Sequence, residues 1–210
     1  MSFLSKVLGS EANLTAKSIL KDPKLMKQII NWVSGFDSEG DVKMDQNLIT
    51  ALTKIKGLFV GNKTTLYRGL FLKPEQLKQL LSNKELKPAN PIESWSGIKI
   101  LNYDVYRENK GQYVRFKKKI NKTDIYLSIV DLFKETLKYY DKKKDEFGIC
   151  MDIFDLNLDG DGVDWKAEDE YLVAGQILRK KDIDEIILFR SGKLTRYSVS
   201  DYEKKLSGKA

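Results

Sequence analysis

Glu168-Asp169-Glu170-Tyr171-Leu172-Val173-Ala174-Gly175 sets two carboxylates one residue apart, directly ahead of an apolar run. Side chains alternate along extended backbone, so residues 168 and 170 share a face where a strand begins or a tight turn closes. The run Tyr171–Leu178 is predicted as a strand. Further strands are predicted at Thr64–Leu70, Phe147–Phe154, Ile183–Phe189 and Leu194–Val199. Another spans Gln112–Ile120, where Tyr113, Arg115 and Lys117 oppose Val114, Phe116 and Lys118. Residues 11–35 carry apolar side chains at helical spacing, broken at Asp22-Pro23 into two short helices. Asp45 is placed to cap a helix over 46–58, and Pro74 to open one through Leu81. Lys87–Ser96, with Pro88 and Pro91, is predicted irregular, residues 98–108 and the amphipathic Leu127–Tyr140 helical, and Lys204–Ala210 frayed. Helices come first and strands dominate late, which implies an α+β fold with a helical part at 1–60 packed on a sheet within 61–210.

The composition excludes several chemistries. There is no histidine among the 210 residues, which removes Ser-His-Asp and Cys-His catalysis and histidine metal sites. Catalysis must then run on carboxylates, Arg or Lys, Ser or Thr, Tyr, or a bound metal. The single cysteine, Cys150, cannot form an internal disulfide and reads as a small apolar core residue in a reducing compartment. No window holds the ~20 apolar residues of a spanning helix. Met1–Ser10 lacks the apolar centre of a secretory signal, so a cytoplasmic location and no membrane partner are expected. A net charge of +7 favours phosphate-rich or acidic partners. Much of it sits in Lys117–Lys119 and Lys142–Lys144, which read as solubilising runs.

Two segments upstream bear on the acidic pair. Leu66-Tyr67-Arg68-Gly69 ends a strand-like run. A guanidinium offers planar, bidentate donors that match a pyrophosphate, and glycine lets backbone approach a ligand. Alone, the triplet Tyr-Arg-Gly reads as an ordinary strand end. Ser94-Trp95-Ser96 follows the proline-containing stretch.

The order of arginine, Ser-aromatic-Ser and Glu-x-Glu-apolar resembles the arginine–serine–glutamate class of mono-ADP-ribosyltransferases, most closely the small enzymes of tailed phages and their toxin relatives. The resemblance covers roughly Leu66 to Val199. It implies a split β-sandwich around a nicotinamide cleft, with NAD as the substrate that donates ADP-ribose. Glu170 matches the class's catalytic glutamate, which hydrogen-bonds the ribose 2′-hydroxyl and stabilises an oxocarbenium-like transition state. Glu168 matches the residue that orients or deprotonates the acceptor, and glutamate there goes with arginine acceptors in many members. Arg68, with Tyr67 and Gly69, would hold the dinucleotide. Ser96 would be the serine supporting the catalytic glutamate, with Ser94 beside it. The chain departs from the class at Gly97 and Ile98, where Thr and Ser are usual. The partner implied is a target protein, in a host cytoplasm if the chain is phage-encoded or injected. Some members modify nucleic acids, which the basic charge also suits.

Two other readings compete. One is a basic nucleic-acid-binding or virion protein that keeps a degenerate transferase fold. The other is a calcium-binding interaction module at Asp155-Leu156-Asn157-Leu158-Asp159-Gly160-Asp161. That segment matches the first half of a calcium loop, with oxygen ligands at alternate positions and glycine sixth. The twelfth position, where such a loop needs a bidentate glutamate, is Lys166. The expectation is therefore no resident metal. Titrating calcium into metal-free protein should give no saturable heat at micromolar concentration, and tight binding would move the interaction-module reading to the front.

Overall fold

The structure is a computed structural model that describes residues 46–57, 60–99, 112–132, 169–190 and 193–208. The fold is β-rich. In chain order the elements among the described residues are α1 (Gln46–Ile55), β1 (Thr65–Leu72), α2 (Pro74–Leu81), β2 (Ile92–Ser96), β3 (Gln112–Lys119), β4 (Ile125–Ser128), β5 (Glu170–Ala174), β6 (Ile183–Arg190), β7 (Lys193–Tyr197) and α3 (Val199–Leu206). Every registered strand pairing is antiparallel. The chain divides into two compact units, Met1–Asn62 with Lys122–Ala174, and Lys63–Asn121 with Gly175–Ala210. The helices expected over 11–35, the Asp45 cap, the strand expected at 147–154 and the segment 155–161 lie outside the described residues. So does the helix expected at 98–108, except Ile98 and Lys99, which are not helical.

In the unit holding β1, the strand order is β2-β1-β3-β6-β7. β1 and β3 pair along their whole length, from Thr65 opposite Lys119 to Leu72 opposite Gln112. Directly opposite residues share a face. Leu66, Arg68 and Leu72 therefore lie on the face carrying Val114 and Phe116. Leu66, Val114 and Phe116 are fully buried there, so Arg68 stands in an apolar row. Arg115 lies on the other face and is itself buried.

Between β3 and β6 the register shifts at Arg115, which faces Glu185, while Phe116 faces Ile183. Asp184 is the extra residue of a bulge. In a regular strand Asp184 and Glu185 would point to opposite faces; the bulge brings both carboxylates to one guanidinium. Arg115 Nε donates to Asp184 Oδ2 at 2.8 Å, and Nη2 lies 2.7 Å from Asp184 Oδ2 and 2.9 Å from Glu185 Oε2.

Helices close this unit by local rules. Pro74 occupies the first turn of α2, and the Gln76 side chain accepts a hydrogen bond from Lys73 N, while Leu77, Leu80 and Leu81 are buried. Residues 204–210 were expected to fray. Instead Ser198 caps α3, its Oγ accepting from Asp201 N, and Tyr202 is buried with its hydroxyl accepting from Gln112 Nε2 at 2.8 Å. β7 ends at Tyr197 because Ser198 begins the cap.

In the other unit β5 pairs with β4, Ile125 opposite Val173 and Ser128 opposite Tyr171. α1 packs on β4, with Leu52 fully buried and Lys56 Nζ 4.6 Å from the centre of the Tyr126 ring. The helix expected from Leu127 starts later. Residues 125–128 are strand, and a helical turn opens at Ile129, where Ser128 Oγ accepts from Asp131 N. β5 stops at Ala174, short of the expected Leu178, which forms an isolated bridge with Leu86.

Lys87–Ser96 also departs from expectation. Irregular backbone reaches only to Pro91; β2 begins at Ile92 and pairs with β1, Tyr67 opposite Ser96. A proline restrains its own φ and the residue before it, not the residues after.

Gly69 tests how tightly the β1–β3 pair is packed. A Cβ there would sit 1.6 Å from Tyr113 Oη and 2.1 Å from its Cζ. Gly69→Ala should destabilise the protein by about 1–3 kcal/mol, measured by urea denaturation. Combined with Tyr113→Ala, the same change should cost clearly less than it does alone.

Candidate functional site

β1 and β2 bring Arg68 and the Ser-Trp-Ser segment onto neighbouring strands of one unit. The guanidinium of Arg68 is held from β2. Its Nη2 lies 3.2 Å from Glu93 Oε1 and its Nη1 donates to the Ser94 carbonyl at 3.2 Å. Glu93 is buried, and its second oxygen accepts from Gln176 N at 3.2 Å. Arg68 Nε is buried and has no hydrogen-bond partner among the described residues. Burial pushes the Arg68 guanidinium below its ordinary pKa, and the charge of Glu93 opposes that shift. Arginine does not shed its proton in proteins, so the cost of desolvation is met by pairing rather than by neutralisation.

The other expected residues of this unit fall around that pair. Tyr67 and Gly69 flank Arg68 on the opposite face of β1, Tyr67 opposite Lys117 and Ser96, Gly69 opposite Arg115. Lys99 Nζ stands 5.7 Å from the centre of the Tyr67 ring. Gly69 was expected to admit a ligand close to the backbone; the Tyr113 phenol occupies that space. Ser96 Oγ donates to Ile98 O at 2.8 Å and accepts from Ile98 N at 3.1 Å, so its hydroxyl closes the turn after β2. Trp95 is 1 % exposed, and its indole N–H has no hydrogen-bond partner among the described residues.

Glu170 belongs to the other unit, where it is the first residue of β5 and is buried. Asp169 before it has φ 45°. That left-handed conformation is one aspartate tolerates better than most residues, and it marks the turn from which the strand starts. Glu168 lies outside the described residues.

The residue that sequence reading missed is Glu93. Pro88 and Pro91 hide the alternation of residues 92–96 in the sequence. Read as a strand, Glu93 and Trp95 share a face, and an acid between Ile92 and Trp95 signals a buried partner of opposite charge.

Among the described residues no group of three or more Cys, Asp or Glu side chains is gathered in a way that would hold a metal, and no helix is long and apolar enough to cross a membrane. No protein-family model matches the chain, no curated protein matches it in sequence, and no solved structure matches it in fold.

The pairing of Arg68 with Glu93 predicts a non-additive pair of substitutions. Arg68→Met leaves a carboxylate buried without its countercharge and should destabilise by about 3–5 kcal/mol. Arg68→Met with Glu93→Leu should recover most of that loss. Urea denaturation of the two single variants and the double one checks it, and simple additivity would mean the two residues are independent.

Proposed function

We propose that this chain is an NAD-dependent mono-ADP-ribosyltransferase built on a split β-sandwich, transferring ADP-ribose to arginine on a target protein. The observation that carries the reading is the pairing of β1 with β2. It sets the arginine and the serine–aromatic–serine segment, 26 residues apart, side by side, with Arg68 bonded to the Ser94 carbonyl. Two further features support it. Arg68 keeps a buried, unpartnered Nε–H, the kind of donor that a phosphate oxygen satisfies. Glu170, the match to the catalytic glutamate, is a buried carboxylate at the head of a strand.

In this mechanism the bond between nicotinamide and the anomeric carbon breaks and nicotinamide leaves with the electron pair. A guanidino nitrogen of the acceptor forms the new bond and loses a proton to Glu168. The charge of Glu170 stabilises the developing ribosyl cation, and a preorganised group of that kind contributes most where water is excluded. Arg68 grips the diphosphate. The Ser96 hydroxyl donates to Ile98 O, so its supporting role on this reading requires that hydrogen to turn away from Ile98. The replacement of the usual Thr and Ser by Gly97 and Ile98 leaves that support to Ser96.

Incubating the protein with NAD and a small guanidino acceptor, and following free nicotinamide and acceptor labelling together, tests the proposal. Glu170→Gln keeps the shape and removes the charge, and should lower both signals by about 10²–10³ or more in rate. Glu168→Gln should suppress labelling while slow hydrolysis by water continues. A folded wild-type protein that releases no nicotinamide would overturn the assignment.

A further inference from the structure

We propose that Glu93 is a positioning residue which turns the Arg68 guanidinium so that its Nε edge meets a diphosphate, with the indole N–H of Trp95 as the second donor. The inference rests on the transferase reading only in taking that diphosphate to be the one in NAD. A guanidinium has five N–H donors in a rigid plane. One Nη faces Glu93 Oε1 and the other the Ser94 carbonyl, both at 3.2 Å. Glu93 is held from its far side too, by Gln176 N on Oε2 at 3.2 Å. It therefore grips one corner of Arg68 and leaves Nε unpaired.

Glu93 and Trp95 are two residues apart on β2 and so share a face. The Glu93 carboxylate meets Arg68, which puts Trp95 on the face where Arg68 stands. Three buried side-chain polar atoms are without partners among the described residues: Arg68 Nε, Trp95 Nε1 and Gln112 Oε1. The first two are donors on neighbouring strands, while Gln112 Oε1, an acceptor, sits at the far end of the same face, opposite Leu72. The adjacent carboxylate is already engaged at both oxygens. A diphosphate is an acceptor with several oxygens and the charge to match.

The test is isothermal titration of the full chain with NAD and, separately, with inorganic pyrophosphate. Wild type is compared with Glu93→Ala, Glu93→Gln and Trp95→Phe, each checked for folding by circular dichroism. Glu93→Ala frees the guanidinium and should weaken both probes about tenfold or more. Glu93→Gln keeps an oxygen toward Nη2 and should stay within about threefold of wild type. Trp95→Phe keeps an aromatic ring but removes the N–H, and should weaken both probes about tenfold. Unchanged affinity in Glu93→Ala overturns the proposal; if that variant does not fold, unchanged affinity in Trp95→Phe does so instead. Glu93→Gln binding as poorly as an alanine variant also overturns it, because the effect would then be charge and not orientation. Wild type that binds pyrophosphate but not NAD removes the transferase reading and leaves this inference standing. Wild type that binds neither removes both.

Discussion

A charged guanidinium on an apolar face has to be paired, and the unit containing β1 is arranged around that demand. Arg68 stands in a row with Leu66 and Leu72 and opposite Phe116. Arginine cannot relieve its burial by losing a proton. The charge must come from a neighbouring strand, and β2 supplies it as Glu93, itself tied to Gln176 N. The pair sets the lateral register of β1 on β2, because a shift by one residue would move Glu93 to the other face and leave both charges alone.

The opposite face of the same strands meets the same demand differently. Arg115 is buried there, and no single regular neighbour answers it. A bulge in β6 turns two consecutive acids, Asp184 and Glu185, toward it. Lys99, 3.5 Å from Asp184, and Arg196, 3.4 Å from Glu185, add positive charge beside each of the two carboxylates from the exposed rim. Among the described residues Arg115 has no buried donor without a partner, whereas Arg68 is left with one. That contrast is the physical ground for looking to Arg68, and not Arg115, for function: a buried donor without an acceptor is a cost that a ligand can remove.

The proposed chemistry asks little of the protein beyond placement. Nicotinamide is a good leaving group, so the work lies in holding a diphosphate and presenting negative charge to a developing cation. The β1–β2 pair, with Arg68 held by Glu93 and the Ser94 carbonyl, suits the first task. A buried carboxylate at the head of β5, entered through a left-handed Asp169, suits the second.

Local chemistry made much of the secondary structure legible. The alternation of Tyr113, Arg115 and Lys117 against Val114 and Phe116 marks β3, Pro74 marks the start of α2, and the apolar runs mark β1 and β6, because each depends only on neighbours in sequence. The lack of histidine likewise excludes whole classes of catalysis from composition alone. What only the tertiary structure decided rests on partners distant in the chain. Ile92–Ser96 is a strand because β1 lies beside it, and Arg68 can stand half-buried on an apolar face because Glu93 neutralises it. Val199–Leu206 holds as α3 because Tyr202 meets Gln112, 90 residues earlier. Tyr113 fills the space above Gly69, which a sequence shows only as a missing side chain. An isolated segment carries its propensities but not its neighbours, and burial, pairing and the bulge at Asp184 are properties of neighbours.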